Sequence, residues 1–412
     1  MPLSFRAMPR GFSNVIILAL TSTFAFSTTA MLMLVGSLVG LALAPSPDWA
    51  TLPIAIMVVG TALGVVPVTR LMSRLGRKYT LWIFCIVNVF ICLLASYSLS
   101  IKSFTLFCFC AAMIGFGNAA LQQIRFAAME NVAPKHAVTA ASIVMLSGVL
   151  AAIIGPELAV LGRTLTEVEY QGSFWLVAGN ILIASFILIF YKDLEVKKST
   201  ETASSRSIKL IIQSPSFRLA VASAAIGYIV MSFVMTGTPI SMHNHFGHSL
   251  SDTKWVIQSH VAAMFLPSLI TPWLFRLLGI RGLMTIGLAC YGLTIIIGLI
   301  DSSVMGFWFQ LVILGIGWNF LFISGTTLLP HTYLKGEQFK AQAFNDSVVF
   351  STQAIASLSA GWAISSTSWQ AMLLVCLIPI GFMLVTLMRS GSIPSAEGIH
   401  DDDNANKEKR LA

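Results

Sequence analysis

Few ionisable side chains interrupt the long apolar stretches of this sequence, and these are the residues best suited to chemistry. Asp346 and Glu157 are carboxylates, Arg125 is a guanidinium and His260 is an imidazole. An ionisable group is costly to place in hydrocarbon, so its presence there favours a role in gating or proton relay. His260 is a candidate proton carrier because imidazole titrates near neutral pH.

Each of these groups also has a purely structural interpretation. Asp346 is expected to pair with Arg77 or Arg125 when a transport pathway closes, or to be a buried acid held by neighbouring helices. Glu157 is a candidate for proton relay, or a residue at an outer mouth paired with a backbone donor or with Arg163. Spacing alone leaves both pairs of alternatives open.

Amides and aromatic rings recur at helical spacing in the same stretches. Asn118, Gln122 and Arg125 follow at i, i+4 and i+7, so they share one helix face. Rings beside amides suit a flat, partly polar organic solute, which stacks on rings and bonds at its edges. Packing and interface-belt aromatics are the alternative. The substrate-binding candidates are Asn118, Gln122, Tyr228, Trp318, Asn319 and Phe322.

Motifs for other chemistries are missing from the sequence. There is no P-loop for ATP and no HExxH, CxxC or G-x-S-x-G motif. The six cysteines lie in apolar stretches without metal-ligand spacing. We therefore predict a protein that is not an enzyme and has neither a cofactor nor a metal site, driven by a gradient.

Apolar stretches fill most of the 412 residues. The chain is 56% hydrophobic and 10% charged, whereas about 25% of residues are charged in soluble domains. About 20 apolar residues suffice for a helix to cross a bilayer. We predict an all-α membrane protein with twelve transmembrane helices, near 13–44, 50–72, 79–99, 103–128, 136–162, 172–191, 217–242, 252–276, 281–300, 304–330, 338–364 and 368–388.

The basic residues predict how these spans are oriented. With a cytoplasmic N-terminus, only three of the 25 lysines and arginines fall outside, namely Lys102, Arg163 and Lys254, as the positive-inside rule requires. The net charge of +8 lies in short gaps rather than in a basic stripe, so nucleic-acid binding is not expected. The sequence predicts a multi-pass inner-membrane protein with both termini in the cytoplasm.

The spans divide into two pseudo-symmetric six-helix halves. Gly115-Phe116-Gly117 in span 4 is echoed by Gly315-Ile316-Gly317 in span 10, and such repeats are common in transporter folds. The predicted divisions are an N-terminal half at 1–192, a cytoplasmic central loop at 193–216, a C-terminal half at 217–389 and a disordered cytoplasmic tail at 390–412.

The loop between spans 2 and 3 carries the most specific motif. Ser73-Arg74-Leu75-Gly76-Arg77-Lys78 resembles the core of the loop motif of the major facilitator superfamily, in which Asp-Arg-x-Gly-Arg-Arg/Lys follows a glycine. Ser73 stands at the usual Asp and Thr69 at the preceding Gly. The resemblance implies that Arg74 and Arg77 belong to a cytoplasmic gate. The family's Asp holds that gate against span 11, and here only the Ser73 hydroxyl is left for the contact.

The resemblance covers nearly the whole chain and implies a secondary transporter whose halves alternate access to a midplane site. The stretch 317–322 with Asn345-Asp346 also resembles a bacterial subgroup that includes proposed riboflavin importers, so we expect riboflavin uptake. A proton-coupled exporter of drugs or metabolites is the alternative. A membrane enzyme or sensor would need a catalytic constellation or soluble domain. The expected partners are a small-molecule substrate, the lipid bilayer and protons, for a chain that functions as a monomer.

Overall fold

A computed structural model describes residues 11–46, 49, 52–193, 206–334 and 336–390. Two predicted segments fall largely outside these ranges. They are residues 194–205 of the central loop and all of the predicted tail after Ser390.

The described residues of the N-terminal half form seven α-helices, which make six spans. Span 4 is divided at Gln123, where the backbone turns between two helices. The helices are α1 Phe12–Leu43, α2 Leu52–Leu75, α3 Arg77–Ser100, α4 Phe104–Gln122, α5 Ile124–Glu130, α6 Ala137–Gly162 and α7 Gln171–Ile189.

The C-terminal half follows the short helix α8 Ile208–Gln213. Its last span is divided at Cys376. The helices are α9 Pro215–Ile240, α10 Leu250–Phe265, α11 Thr271–Ile300, α12 Val304–Leu328, α13 Gln338–Ser366, α14 Trp369–Val375 and α15 Leu377–Arg389.

The described residues contain eleven helical segments long and apolar enough to cross a membrane, and a shorter apolar helix at Trp255–Leu269. A 3₁₀ turn at Leu266–Leu269 interrupts span 8, which continues into the start of α11. Gly279, with φ 66° and ψ 179°, then breaks α11 and begins span 9. Glycine adopts such a backbone conformation without steric cost. The predicted all-α fold with twelve spans is confirmed.

The two halves repeat one packing pattern. In the first half α1 packs on α6, α2 on α4 and α3 on α7. In the second half α9 packs on α13, α10 on α12 and α11 on α14 and α15. Spans 1–5, 2–4 and 3–6 therefore correspond to spans 7–11, 8–10 and 9–12, which is the predicted pseudo-symmetry.

The repeated glycines explain how these helices approach so closely. A Cβ atom on Gly115 would lie 1.9 Å from the carbonyl oxygen of Met57 in α2. A Cβ atom on Gly315, the corresponding residue, would lie 2.8 Å from the carbonyl oxygen of His260 in α10. Small residues let membrane helices pack backbone to backbone, so the repeat positions spans 4 and 10 against spans 2 and 8.

Two seams join the halves. One is formed by α2 with α13, and the other by α6 with α10, α11 and α12. At the second seam Gly148 lies against the ring of Phe265, because a Cβ atom there would be 2.8 Å from that ring. Spans 4 and 10, which carry most of the candidate residues, lie beside these seams.

Candidate functional site

Four rings from three helices form an aromatic cluster, consisting of Tyr228 of α9, Trp318 and Phe322 of α12, and Phe350 of α13. Trp318 and Phe322 are one helical turn apart and stack with centroids 5.0 Å apart and planes at 14°. Tyr228 meets both edge-on at 5.2 and 5.1 Å, and Phe350 lies 5.7 Å from Tyr228. Three of the six predicted substrate residues thus come together, and Phe350 is an addition.

The aromatic cluster is buried yet keeps an unused polar group. Trp318 and Phe322 are each 1% exposed, and the indole N–H of Trp318 meets no hydrogen-bond partner in the described part of the chain. An unpaired buried donor costs about 1–3 kcal/mol. The aromatic cluster therefore offers a stacking surface and one hydrogen-bond donor, the indole N–H of Trp318, without an acceptor among the described residues.

A buried ion pair lies directly against the aromatic cluster. The Arg125 guanidinium stacks on Phe322 at 4.7 Å and on Phe126 at 4.6 Å. Its Nη2 donates to Oδ1 of Asp346 at 2.5 Å, and Nη1 donates to Gln122 at 2.9 Å. Of the two arginines predicted as partners of Asp346, Arg125 is the one that pairs with it in the structure. Gln122 accepts a hydrogen bond from the same guanidinium.

The Asp346 carboxylate is fully buried and accepts two further hydrogen bonds. Gln123 donates to Oδ2 at 2.5 Å and Asn345 donates to Oδ1 at 2.8 Å. Gln123 and Arg125 belong to the N-terminal half, whereas Asp346 and Asn345 belong to α13. The ion pair therefore ties the two halves together.

A second polar group joins the halves nearer the predicted cytoplasmic end. Arg77 donates to both oxygens of Glu130, at 2.8 and 2.6 Å, and to Gln342 of α13 at 2.8 Å. Gln342 donates to Glu130 at 3.1 Å and to the Tyr333 hydroxyl at 2.8 Å. Burial raises the pKa of Tyr333, so the phenol stays neutral. We call Arg77, Glu130, Tyr333 and Gln342 the loop latch.

In the part of the chain that the structure describes, the other residues of the motif form no hydrogen bond to span 11. Gly76 adopts φ 84° and makes the tight turn that the motif predicts. The Ser73 hydroxyl donates to its own helix at Arg70, 2.8 Å away, and Ser73 and Arg74 are both exposed. Among the described residues of the motif, Arg77 alone donates a hydrogen bond to α13.

Outside the membrane spans, Glu337 accepts hydrogen bonds from Arg206 at the same end of the molecule. Arg206 donates to the Glu337 carboxylate from its backbone N–H at 2.9 Å and from Nη2 at 2.7 Å. These hydrogen bonds lower the pKa of Glu337 to about 2. The ion pair fastens the chain before α8 to the start of α13.

The two predicted asparagines lie apart from the aromatic cluster and pack within their own halves. Asn319 donates to the Met264 carbonyl at 2.7 Å and to Ser268 at 2.8 Å, and accepts from Thr271 at 3.3 Å. It therefore satisfies the backbone where span 8 is broken. Asn118 donates to Thr61 of α2 at 3.3 Å.

The structure also places His260 and Glu157 away from the ion pair. The Nδ1 atom of His260 lies 2.7 Å from the Leu311 carbonyl, and its Nε2 has no partner among the described residues. Glu157 is exposed on α6. Arg163 pairs with Glu169 at 2.5 Å rather than with Glu157. Their predicted roles in coupling remain predictions.

Sequence reasoning did not single out several residues that form this site. Phe350 carries no polar signal, and Tyr333 lies in a loop. Gln123 directly follows Gln122, and consecutive side chains on a straight helix point to different sides, so the predicted face of span 4 did not include Gln123. The described residues contain no group of three or more histidines, cysteines, aspartates or glutamates able to hold a metal ion.

Comparison with known proteins identifies the family. Residues 16–337 match the profile of the Major Facilitator Superfamily. The riboflavin transporter RfnT of Brucella anthropi is 33% identical over 378 residues, which cover 91% of this chain and 95% of that protein. The uncharacterized transporter YddS of Bacillus subtilis, of the same superfamily, is 27% identical over 84% of this chain and 85% of its own length.

Solved structures share the fold at low sequence identity. A bacterial homologue of the iron transporter ferroportin, in an outward-facing state, superposes with a TM-score of 0.70 at 15% identity, over 91% of this chain and 98% of its own. The fucose:proton symporter FucP of E. coli gives 0.67 at 14% identity, over 93% and 98%. The chain therefore belongs to the major facilitator superfamily, whose members are transporters of small molecules and not enzymes.

Proposed function

We propose that this chain imports riboflavin across the bacterial inner membrane. The relative named as a riboflavin transporter aligns with 91% of the chain at 33% identity, so the alignment includes both halves and the seams between them. The isoalloxazine ring of riboflavin is flat and apolar on its faces, with carbonyl and nitrogen acceptors at its edge. These properties match the chemistry of the aromatic cluster.

The stacked pair of Trp318 and Phe322 is the observation that carries this proposal. Phe322 lies between Trp318 and the Arg125 guanidinium, so a third flat ring would stack on the other face of Trp318, and the free indole N–H is a donor for an edge acceptor. The rings pack on one another in this conformation, with Tyr228 edge-on to the pair. A bound flavin would replace contacts made by Tyr228, so binding requires that side chain to turn.

Phe322 connects this surface to the ion pair. The Phe322 ring stacks on Trp318, and the Arg125 guanidinium lies over the same ring, 4.7 Å from its centroid. Displacing Phe322 would weaken the hold on Arg125, and with it the Arg125–Asp346 contact between the halves. We therefore assign Arg125 and Asp346 to the inner gate of an alternating-access cycle, with the loop latch as its second layer.

Proton coupling, orientation and assembly belong to the same proposal. Protonation of Asp346 would remove the charge that holds Arg125, so a proton could open the gate. The charge distribution supports cytoplasmic termini, which place the loop latch on the cytoplasmic side. Both halves and every residue of the candidate site belong to one chain, which supports a functional monomer.

Riboflavin uptake into a flavin-auxotrophic bacterium tests the proposal. Expression of the wild-type chain should restore growth on low riboflavin and the accumulation of labelled riboflavin. Trp318→Ala should abolish uptake at equal membrane abundance, whereas Trp318→Phe keeps the stacking face and should retain part of it. Trp175→Ala is the matched control, because Trp175 is 50% exposed on α7.

Three results would overturn this assignment. Uptake by Trp318→Ala equal to wild type would remove the aromatic cluster from the binding site. Absence of riboflavin uptake by the folded wild-type chain would reject the substrate. Proton-driven loss of riboflavin, or of another solute, from preloaded cells would instead support the exporter alternative.

A further inference from the structure

A long apolar groove runs along the lipid-facing side of the C-terminal half, separate from the candidate site. It lies between α9, α13 and α15 and has a volume of about 970 Å³. Its floor is formed by α9, with Phe217, Val221 and Ala225 buried. Its walls carry exposed apolar side chains, among them Ile355 and Ile378 at 65% and 74% exposure. The groove therefore opens sideways, toward the lipid.

The groove runs in the direction of an acyl chain and is longer than the half of the hydrocarbon core that the chains of one leaflet fill. Its lining on α9 extends from Pro215 to Phe233, which is about 27 Å at 1.5 Å per residue. The hydrocarbon core of a bilayer is about 30 Å thick. Because α9 spans the membrane, the groove follows the membrane normal from the predicted cytoplasmic end past the bilayer centre.

Two arginines mark the predicted cytoplasmic mouth of this groove. Arg218 lies in the first turn of α9 and Arg389 is the last residue of α15, and both line the groove. Both side chains are exposed, and neither forms a salt bridge with a described residue. None of the described residues that line the groove is acidic. The mouth thus carries two positive charges with no counter-ion from the groove itself.

We propose that the groove binds one anionic phospholipid of the cytoplasmic leaflet. Its phosphate would lie between Arg218 and Arg389, and an acyl chain would fill the groove below. Apolar burial and charge complementarity then act on one molecule. A second copy of the chain fits less well, because a two-fold contact through this face would bring the arginine pairs toward each other. The tail contains Asp401-Asp402-Asp403 and suits the arginines but not the apolar groove.

Native mass spectrometry of the purified full-length chain tests this site. The protein is exchanged into mixed micelles containing phosphatidylglycerol or phosphatidylcholine, and the retained lipid is counted. We expect one phosphatidylglycerol to be retained in preference to phosphatidylcholine. A basic residue near an anionic lipid surface contributes about 1 kcal/mol, or about fivefold in affinity. Arg218→Gln and Arg389→Gln should each weaken phosphatidylglycerol retention about fivefold.

Two further variants separate the site from general surface charge. Arg276→Gln removes an exposed arginine that is predicted to lie at the same end but does not line the groove, so it should retain lipid as wild type does. Ala222→Phe narrows the groove without changing charge and should reduce retention of both lipids. Equal retention of the two lipids by wild type would overturn the proposal. So would unchanged retention in both arginine variants, or a lipid-free dimer that the Ala222→Phe change disrupts.

Discussion

Replacing Asp346 by asparagine should open the gate at the predicted cytoplasmic end. The change keeps the shape of the side chain but removes the charge that faces Arg125, which is 3% exposed. Breaking a buried ion pair by removing one partner costs about 3–5 kcal/mol, because the other charge is left uncompensated. When the halves separate, Arg125 gains access to water and this cost disappears. The substitution therefore penalises the closed conformation specifically.

The structure favours the lower end of that range. Asn345 can still donate to the amide oxygen at position 346 when that oxygen takes the place of Oδ1. The new amide NH2 then takes the place of Oδ2, and the Gln123 amide can turn so that its oxygen, which has no partner among the described residues, accepts from it. Arg125 keeps its contacts with Phe126 and Phe322. A penalty of about 3 kcal/mol changes the ratio of closed to open molecules by about 10². A chain that is mostly closed at this end would become mostly open.

Spin labels at Leu75 and Leu334 report this change by pulsed electron resonance. Leu75 ends α2 in the first half, Leu334 precedes α13 in the second, and both are exposed, at 45% and 60%. In a background without the native cysteines, the wild-type pair should give mainly the short distance. Asp346→Asn should give mainly a longer one. If Asp346 carries a proton, acidification should move wild type in the same direction and leave Asp346→Asn unchanged.

Two controls make the reasoning refutable. Arg125→Gln added to Asp346→Asn removes the stranded charge, so the double variant should recover much of the short distance. Glu169→Gln breaks a pair that is 55% exposed on both sides, and exposed pairs contribute little, so it should change nothing. An unchanged distance distribution in Asp346→Asn, or no recovery in the double variant, would refute the gate assignment.

Two further predictions concern Glu337 and Asn319, whose hydrogen bonds fasten neighbouring segments of the chain. Hydrogen bonds from Arg206 hold the pKa of Glu337 at about 2. The stabilisation that this ion pair gives is therefore fully present above the unfolded-state pKa of Glu337, near 4.5. It is lost as the pH falls toward 2. The difference in melting temperature between wild type and Glu337→Gln should therefore shrink below about pH 4.5, whereas Glu169→Gln should show little difference at any pH. Asn319→Ala should lower the melting temperature more than Asn118→Ala, because it strands a buried carbonyl and hydroxyl at about 1–3 kcal/mol each. Riboflavin uptake per folded molecule should be retained in Asn319→Ala, and its loss would return Asn319 to the binding site.

Much of the fold could be predicted from the sequence because the membrane imposes one rule. A chain must satisfy its backbone polar groups within hydrocarbon, so each long apolar stretch becomes a helix. The unpredicted details are breaks inside those helices. Pro267 falls in the 3₁₀ turn of span 8, and Gly279 joins spans 8 and 9 without a loop. The first break is held by Asn319, a tertiary partner that a hydropathy pattern does not contain.

The candidate site was predictable where it depends on one helix and not where it depends on two. Trp318 and Phe322 share a face by spacing, and they stack. Asn319 and Phe322 are three residues apart, a spacing that places both on one broad helix face, yet Asn319 turns toward span 8. Residues at i+3 and i+4 are both helical neighbours, so spacing defines a broad face without saying which neighbouring helix it meets.

The serine at position 73 explains why the ion pair, rather than the loop motif, should dominate the gate. The family's Asp would place a negative charge beside span 11, but Ser73 bonds back to its own helix. The loop latch keeps both of its charges in the N-terminal half and meets α13 through the neutral amide of Gln342. Loss of Gln342 removes hydrogen bonds to Arg77 and Glu130 but leaves these two charges paired with each other. Loss of Asp346 leaves the buried Arg125 charge without its counter-ion, which costs about 3–5 kcal/mol. Loss of Gln342 should therefore open the gate less than loss of Asp346.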